Sequence, residues 1–402
     1  MTPQVSKGLR DDAHAHAQLF IRAAVRLFRA HGGGFEIDDW AFGLVNRERK
    51  PKQALEAVGR AFAETPFAAS ASWPKISVVV CTYNNEPTLR DCFDGLRAVE
   101  YPDYEVIVVN DDSPDTFELE RALAPYRGRI VYVKQENRGP GGARNTAILK
   151  ARGECVALLD SDDVWLPTFL AEQMEVLREN PALDLVYADA LLFGDGPSAG
   201  RTFMQFNPSR GPVTFESLLQ GRCTIITSCV VARKQALVAA GLFDENFYHS
   251  EDFDLWLRLA RRGGQMSYRP HVLARHRLHA ASLGADDRRL IEGELKVYQK
   301  LLRALPASAS EHELVRARME RRRADLALED GRQQFMAGQY IQAAEALERA
   351  NGFYHSRKLR LVLLGLRAAP RLLRRVYGLR HRVQTQRARA AAARAVTSGV
   401  RQ

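Results

Sequence analysis

The chain has 402 residues, 46% apolar and 26% charged, a balance typical of globular proteins. No run approaches the ~18 apolar residues that a membrane-spanning helix needs, and the first residues lack the charged-then-apolar order of a signal peptide. The five cysteines are an odd number with no C-x-x-C pair, so we expect reduced thiols in a cytoplasmic protein. The length suits either one large domain with appendages or two to three domains.

The net charge of +10 belongs to one end of the chain. The last 46 residues, from Arg357 onward, carry thirteen Lys and Arg and no Asp or Glu. The other residues hold 45 basic against 48 acidic side chains, a net charge of −3. With this slightly acidic body, we expect no nucleic-acid partner.

In chain order, residues 1–70 are predicted to be a helical region, and short apolar runs alternate with helices from Lys75 onward. Because the runs are apolar on both faces, they predict a buried, mainly parallel sheet in a doubly wound α/β fold. The runs are ISVVVC (76–81), EVIVVN (105–110), IVYVK (130–134) and CVALLD (155–160). Intervening helices are predicted at about 86–98, 116–125 and 141–151.

Beyond Asp160 the alternation loosens. The predicted elements are a helix at 167–179, strand-like segments at 184–193 and 224–232, and a helix at 251–262. From about 285 the pattern is helical, and 331–350 has the spacing of one tetratricopeptide-like hairpin.

Polar clusters end three of the predicted strands, and they should meet at one edge of the sheet, where ligands of such folds bind. The clusters span 81–85, 110–115 and 160–163. Asp160 and Asp162 would repel each other unless a cation lay between them, and hard oxygen ligands suit Mg²⁺ or Mn²⁺. A surface turn or helix N-cap is the alternative for the 160–163 cluster and an Asx-turn for Asp111 and its neighbours, and we interpret Asp163 as a helix N-cap.

The glycine-rich segment 139–145 resembles a dinucleotide fingerprint only superficially, because Arg144 and Pro140 break the pattern. We therefore expect no nicotinamide cofactor. A glycine-rich entry to a helix still suits a nucleotide or phosphate that the backbone approaches closely.

Four segments together resemble the family 2 glycosyltransferases of the GT-A fold, over about 76–283. They are SVVVCTYNN, EVIVVNDDSPD, ENRGPGGARNTAILKARGECVALLDSDDVWLP and GLFDENFYHSEDFDLWLRLARRG. The resemblance implies an inverting transfer of one sugar from a nucleotide-sugar, typically a UDP-sugar, to an acceptor hydroxyl. It also implies a glycan or lipid-linked acceptor, as in bacterial surface polysaccharide or glycolipid synthesis.

The resemblance assigns roles to individual residues. It implies a base pocket at the end of the first strand, a hydrogen bond from Asp111 to the base, and further contacts to ribose and sugar. The implied nucleotide-sugar ligands are Thr82, Tyr83, Asn84, Asp111, Arg144, Asn145 and Asp160. It implies that Asp162 coordinates the metal, Mn²⁺ or Mg²⁺, and His279 is either a further ligand or a structural histidine.

Glu251 and Asp252 match the family's acidic pair on the acceptor side. A hydroxyl nucleophile needs a carboxylate within hydrogen-bond reach, and both residues open a predicted helix, whose N-terminus favours negative charge. Spacing leaves open which of them acts, and the resemblance implies Asp252 as the general base.

Two departures from the family pattern stand out. Asp112 occupies the position of a usual glycine, which we expect to alter the turn after the second strand. The Q-x-x-R-W motif of processive synthases is absent, so single-sugar addition is expected.

Four regions follow: a helical region at 1–70, the GT-A domain at 75–284, a helical region at 285–356 and a basic tail at 357–402. The tail carries an apolar stripe interrupted at Pro370, and it suits either docking on an anionic membrane or a solvated terminus. A nucleotidyltransferase on a related fold and a catalytically degenerate scaffold are the alternatives for the whole chain. The sequence lacks the glycine-rich loop that a nucleotidyltransferase usually carries directly after the first strand. The intact acidic residues argue against a degenerate scaffold.

Overall fold

The computed structural model describes residues 73–196, 198–279 and 286–375, all within one compact unit of the chain. The predicted N-terminal helical region and the tail beyond residue 375 lie outside these ranges. Among the described helices, none has the length and apolar content required to cross a membrane.

The described strands form one mixed sheet in the order β3-β2-β1-β4-β7-β6-β8-β5. The first four of these strands are parallel, whereas β7 runs antiparallel to both β4 and β6. Their bounds are β1 Ile76–Thr82, β2 Tyr104–Asp111, β3 Ile130–Gln135, β4 Cys155–Asp160, β5 Val164–Trp165, β6 Leu183–Gly194, β7 Val230–Arg233 and β8 Gln265–Leu278. The predicted α/β fold with a mainly parallel core is confirmed.

Helices cover both faces of the sheet and continue beyond it. Those of the sheet domain are α1 Glu86–Arg97, α2 Thr116–Leu123, α3 Gly139–Lys150, α4 Phe169–Glu179, α5 Phe215–Leu219, α6 Lys234–Ala239 and α7 Glu251–Arg261. Those that follow are α8 Asp287–Ala304, α9 Ser310–Ala337, α10 Tyr340–Tyr354 and α11 Arg357–Ala368.

Alternate residues of the central strands enter two separate cores. On β1, Val79 faces a core shared with α3, α7 and α8, whereas Val78 and Val80 face a core shared with α1, α2 and α4. Because successive side chains of a strand point to opposite faces, a strand covered on both sides must be apolar throughout. This explains why the unbroken apolar runs predicted the strands so closely.

The predicted strand at 224–232 is wrong over most of its length. Residues 227–229 form a 3₁₀ turn, and only Val230–Arg233 pairs as a strand. Instead of pairing in the sheet, this turn is held by its side chains: Thr227 hydrogen-bonds to Asp252 at the start of α7, and Ser228 to Asp160 at the end of β4.

Beyond the sheet domain, α9 and α10 pack side by side around a close approach at Gly331. A Cβ on Gly331 would lie 2.7 Å from the Leu347 side chain. The left-handed conformation of Gly338, φ +84°, ends α9 and turns the chain into α10. Leu363 and Leu366 of α11 complete this small core.

Candidate active site

The register of the parallel strands brings the predicted polar clusters to one edge. Thr82 at the end of β1 lies opposite Asn110 of β2, and Cys81 lies opposite Asp160 of β4. The carboxyl ends of β1, β2 and β4 therefore open together, which is where a doubly wound sheet binds its ligands.

At the end of β2, Asp111 is buried and fixed by the protein. Its Oδ1 accepts hydrogen bonds from the Gln135 side chain at 2.7 Å and from the Arg138 backbone N–H at 3.0 Å. Beside it, the Thr82 hydroxyl is buried with no hydrogen-bond partner among the described residues, and Tyr83 is 45% exposed. This corner offers a free polar atom and an open aromatic ring next to a rigid carboxylate.

Two turn residues in this corner adopt a left-handed backbone. Asn84 has φ 56° and Asp112 has φ 60°, and the Asn84 N–H donates to the Ser113 hydroxyl at 2.6 Å. Asp and Asn tolerate this region better than other non-glycine residues. Asp112 therefore takes a conformation that a glycine would also favour, which differs from the altered turn expected from the sequence.

Arg144 links the carboxylates of Asp160 and Glu251. Its side chain is 9% exposed, and its guanidinium lies 2.7 Å from Asp160 Oδ1 and 2.6 Å from Glu251 Oε1. These residues come from α3, the end of β4 and the start of α7. A guanidinium in contact with two carboxylates holds three elements together at the cleft.

The two carboxylates beside Arg144 differ in their electrostatics. Burial alone would raise the pKa of Asp160, but the charge and hydrogen bond of Arg144 hold it below its usual value. Burial raises the pKa of Glu251 to about 7, with Asp252 adding to the rise and Arg144 opposing it. Arg144 thus favours the ionised form of Asp160, whereas burial favours the protonated form of Glu251.

The predicted metal ligands Asp162 and His279 lie together. Nε2 of His279 is 2.9 Å from Oδ2 of Asp162, and the Arg277 side chain donates to the Asp162 carbonyl at 2.8 Å. Burial raises the pKa of Asp162, and the nearby Asp163 and Asp160 raise it further. A cation placed here would relieve that crowding of carboxylates.

Within the described ranges, no group of three or more His, Cys, Asp or Glu side chains is placed to hold a metal ion. Mg²⁺ and related ions commonly bind one or two protein ligands together with substrate phosphates and water. The Asp162–His279 pair fits that kind of site, with a bound diphosphate supplying the remaining oxygens.

The interpretation of Asp163 as a helix N-cap is wrong. Asp163 is fully buried and precedes the short strand β5, so no helix begins there. Its Oδ2 lies 2.9 Å from His276 Nδ1, and its Oδ1 accepts the Arg277 N–H at 2.8 Å. Burial would lower the pKa of His276, but Asp163 and its acidic neighbours raise it to about 9. Asp163 thus anchors the end of β8 that carries His279.

Asn145 is engaged by the segment that leads into α7. Its amide donates to the Phe243 carbonyl at 2.8 Å and accepts the Phe243 N–H at 2.9 Å. A contact of Asn145 with ribose or sugar stays a prediction, and the structure shows Asn145 tying α3 to the segment that leads into α7.

Sequence reasoning missed three residues of this region. The Thr227 hydroxyl donates to Asp252 Oδ2 at 2.7 Å, and the Ser228 hydroxyl accepts the Asp160 N–H at 3.1 Å. Tyr248 packs over the start of α3, where a Cβ on Gly139 would lie 3.3 Å from its ring. The polar Thr-Ser pair inside the apolar run 224–232 was the available signal for the first two.

Comparisons with known proteins agree with this geometry. Residues 77–237 match the family described as Glycosyl transferase family 2. An uncharacterized glycosyltransferase of Rickettsia prowazekii is 30% identical over 217 residues, which is 52% of this chain and 65% of that protein. The Escherichia coli UDP-Glc:alpha-D-GlcNAc-diphosphoundecaprenol beta-1,3-glucosyltransferase WfgD is 29% identical over 187 residues, 46% of this chain and 70% of its own length.

Solved structures share the fold at low sequence identity. Staphylococcus aureus TarS 1-349 is 21% identical with a TM-score of 0.50, covering 76% of this chain and 91% of its own. The mannosyltransferase PcManGT of Pyrobaculum calidifontis, in complex with GDP-Man and Mn²⁺, is 20% identical with a TM-score of 0.51, covering 80% and 90%. At these identities the likeness shows the GT-A fold.

Proposed function

We propose that this chain, whose residues 77–237 match glycosyl transferase family 2, moves one sugar, with inversion, from a UDP-sugar to an acceptor hydroxyl. The observation that carries the proposal is the Arg144 bridge between Asp160 and Glu251. If Asp160 contacts the donor and Glu251 lies on the acceptor side, this bridge supports a direct transfer, which requires both substrates in one cleft.

The base pocket would lie at the corner of Thr82, Tyr83, Asn84 and Asp111. A planar base can rest against the exposed Tyr83 ring, and the unpartnered Thr82 hydroxyl can meet a ligand atom. Uridine is favoured because the name of the similar E. coli enzyme specifies UDP-Glc as donor.

A divalent cation would be held by Asp162 and His279, and the Mn²⁺ of the PcManGT complex supports a divalent cation in a protein of this fold. When bound, such a cation stabilises the charge of the departing diphosphate. In this chain, Arg277 and Asp163 fix the positions of the two ligands.

On the acceptor side we assign Asp252 as general base. One of its oxygens is oriented by the Thr227 hydroxyl, and its side chain is less buried than Glu251, which is held against Arg144. The acceptor oxygen would bond to the anomeric carbon as the bond from that carbon to the diphosphate oxygen breaks. Asp252 takes the hydroxyl proton, and the nucleoside diphosphate leaves with the electron pair from the face opposite the attack.

Surface polysaccharide or glycolipid synthesis is the process we infer, because the E. coli relative is named for an acceptor on diphosphoundecaprenol. Such an acceptor would lie at the inner face of the cell membrane. Helix α11 offers a surface for docking there, since Leu361 is 69% exposed and Leu364 62% exposed beside the cations Lys358 and Arg360.

A panel of UDP-, GDP- and dTDP-sugars, each with Mn²⁺, Mg²⁺ or EDTA, tests the proposed reaction. We expect slow release of UDP from one or more UDP-sugars, dependent on the cation, even before the acceptor is known. Release from none of the donors, with either cation, would contradict the transferase assignment.

A further inference from the structure

A cavity of about 280 Å³ lies beside the strand-end site, between the segment before α7 and the first turns of α8. Tyr248 and His249 form one wall, and Arg289, Gly293 and Lys296 form the other. Its volume is slightly below the ~300 Å³ of the smallest drug-sized pockets, which suits one small charged group.

The cavity is lined by the residues that immediately precede Ser250 and the acidic pair Glu251 and Asp252. Helix α8 approaches the chain so closely that a Cβ on Gly293 would be 2.7 Å from the Ser250 hydroxyl and 2.8 Å from the His249 carbonyl. Ser250 immediately precedes Glu251, and its hydroxyl contacts the Leu290 carbonyl at 3.5 Å. A molecule seated against Tyr248 and His249 would therefore lie beside the backbone that leads directly into Glu251 and Asp252.

Two cations, Arg289 and Lys296, and one acid, Glu292, line the cavity. Glu292 is paired with Arg288 at 2.9 Å, and Arg289 reaches Asp286 at 3.2 Å at the rim. Lys296 is exposed and forms no ion pair with any residue of the described ranges.

His249 is a neutral hydrogen-bonding group in this field. Burial lowers its pKa, and Arg289 and Lys296 lower it further, against the opposing influence of Asp286 and Glu292. A guanidinium, an ammonium group and a neutral imidazole together are a donor set that suits phosphate oxygens.

We propose that this cavity binds the phosphate or diphosphate group of the acceptor, and so directs the acceptor hydroxyl toward Asp252. The inference rests on the proposed function, because it concerns the second substrate of that reaction. Tyr248 separates this group from the donor side, where its ring covers the start of α3. The sugar of the acceptor would then lie between its own phosphate and the general base.

The test uses the full-length protein with two probes, inorganic pyrophosphate and farnesyl diphosphate, titrated in EDTA so that no cation recruits them to Asp162. Both should bind the wild type. The double variant Arg289→Gln/Lys296→Gln should bind each at least tenfold more weakly. The matched control Arg303→Gln/Arg316→Gln removes two exposed cations from α8 and α9, outside the cavity, and should bind as the wild type does.

Two results would overturn the proposal. One is unchanged binding in the cavity double variant. The other is binding of pyrophosphate without farnesyl diphosphate, which would make the cavity a site for the free anion. Cation-dependent donor hydrolysis, measured in the same double variant, should stay at the wild-type rate, and a parallel loss would place the cavity on the donor side. If the wild type hydrolyses no donor, the transferase proposal fails. Binding of the two probes to the cavity is measured independently of donor hydrolysis, so the two failures can be distinguished.

Discussion

Asp162 is the residue on which donor binding with a cation should depend most. Because its carboxylate meets His279 at 2.9 Å in a crowded acidic corner, we expect Asp162→Ala to weaken cation-dependent binding of UDP at least tenfold, about 1.4 kcal/mol. Calorimetric titration of UDP with Mn²⁺ and with EDTA measures this. Asp94→Ala, an exposed acid of α1, is the control, and equal cation-dependent affinity in both variants would contradict the assignment.

Substitution of Asp252 should slow sugar transfer without weakening donor binding. Asp252→Asn keeps the shape of the side chain and an oxygen for the Thr227 hydroxyl, so donor affinity should be unchanged. Loss of the proton acceptor should lower kcat for transfer by roughly 10²–10⁴-fold. The rate of sugar transfer to an active acceptor tests this, and normal turnover would move the role of base to another residue.

Glu251 should give the protein a pH-dependent stability. Its folded-state pKa of about 7 lies above the ordinary value of 4.5, so the folded protein binds more protons than the unfolded chain between these values. Its contribution to the unfolding free energy is therefore full below pH 4.5 and is lost as pH rises through 7. Relative to Glu251→Gln, the wild type should lose on the order of 1–3 kcal/mol over that range, measured by urea denaturation. Parallel pH profiles for the two proteins would show that Glu251 is not perturbed.

At the scale of elements, the contact between α8 and the start of α7 is set by a glycine. The Cβ of Gly293→Ala would meet backbone of His249, which cannot move without shifting Glu251, so we expect destabilisation of about 1–3 kcal/mol and slower transfer. Gly352→Ala in α10 meets nothing within 4 Å and should stabilise by about 0.5–1 kcal/mol. Denaturant midpoints of the two variants check this, and a shift in the same direction for both would refute the argument.

The elements also show what a sequence can predict. The strands β1 to β4 were predicted within one residue at each end. For β1, β2 and β4 the reason is burial on both faces, which makes each an unbroken apolar run, whereas β3 lies at the sheet edge and is only partly buried. Asp163 was misread because its partners, His276 and Arg277, lie more than 110 residues away in the chain. The turn at 227–229 was missed for the same reason, since Asp252 and Asp160 draw its side chains from 25 and 68 residues away.

For the molecule as a whole, the basic C-terminal segment from Arg357 onward should direct the protein to anionic membranes, because the rest of the chain is slightly acidic. Helix α11 presents Leu361 and Leu364 outward while Leu363 and Leu366 hold it to the α9–α10 core. We expect the protein to sediment with vesicles that contain phosphatidylglycerol and to sediment little with vesicles of phosphatidylcholine alone. Binding to the anionic vesicles should be lost at high salt.

The vesicle prediction has an internal control. Leu361→Ser/Leu364→Ser should reduce binding several-fold without unfolding the helix, because neither side chain enters the core, whereas Ile341→Ser on α10 should have no effect. Equal binding by all variants would exclude α11 as the docking surface.

The guanidinium shared by Asp160 and Glu251 has a consequence for redesign of specificity. Under the proposed roles, a library that varies the donor pocket alone should also disturb the acceptor side, because Asp160 and Glu251 share the Arg144 guanidinium. Engineered variants with a new donor sugar should therefore be selected from libraries that vary the two carboxylates' surroundings together, and single-site selections should return mostly inactive proteins.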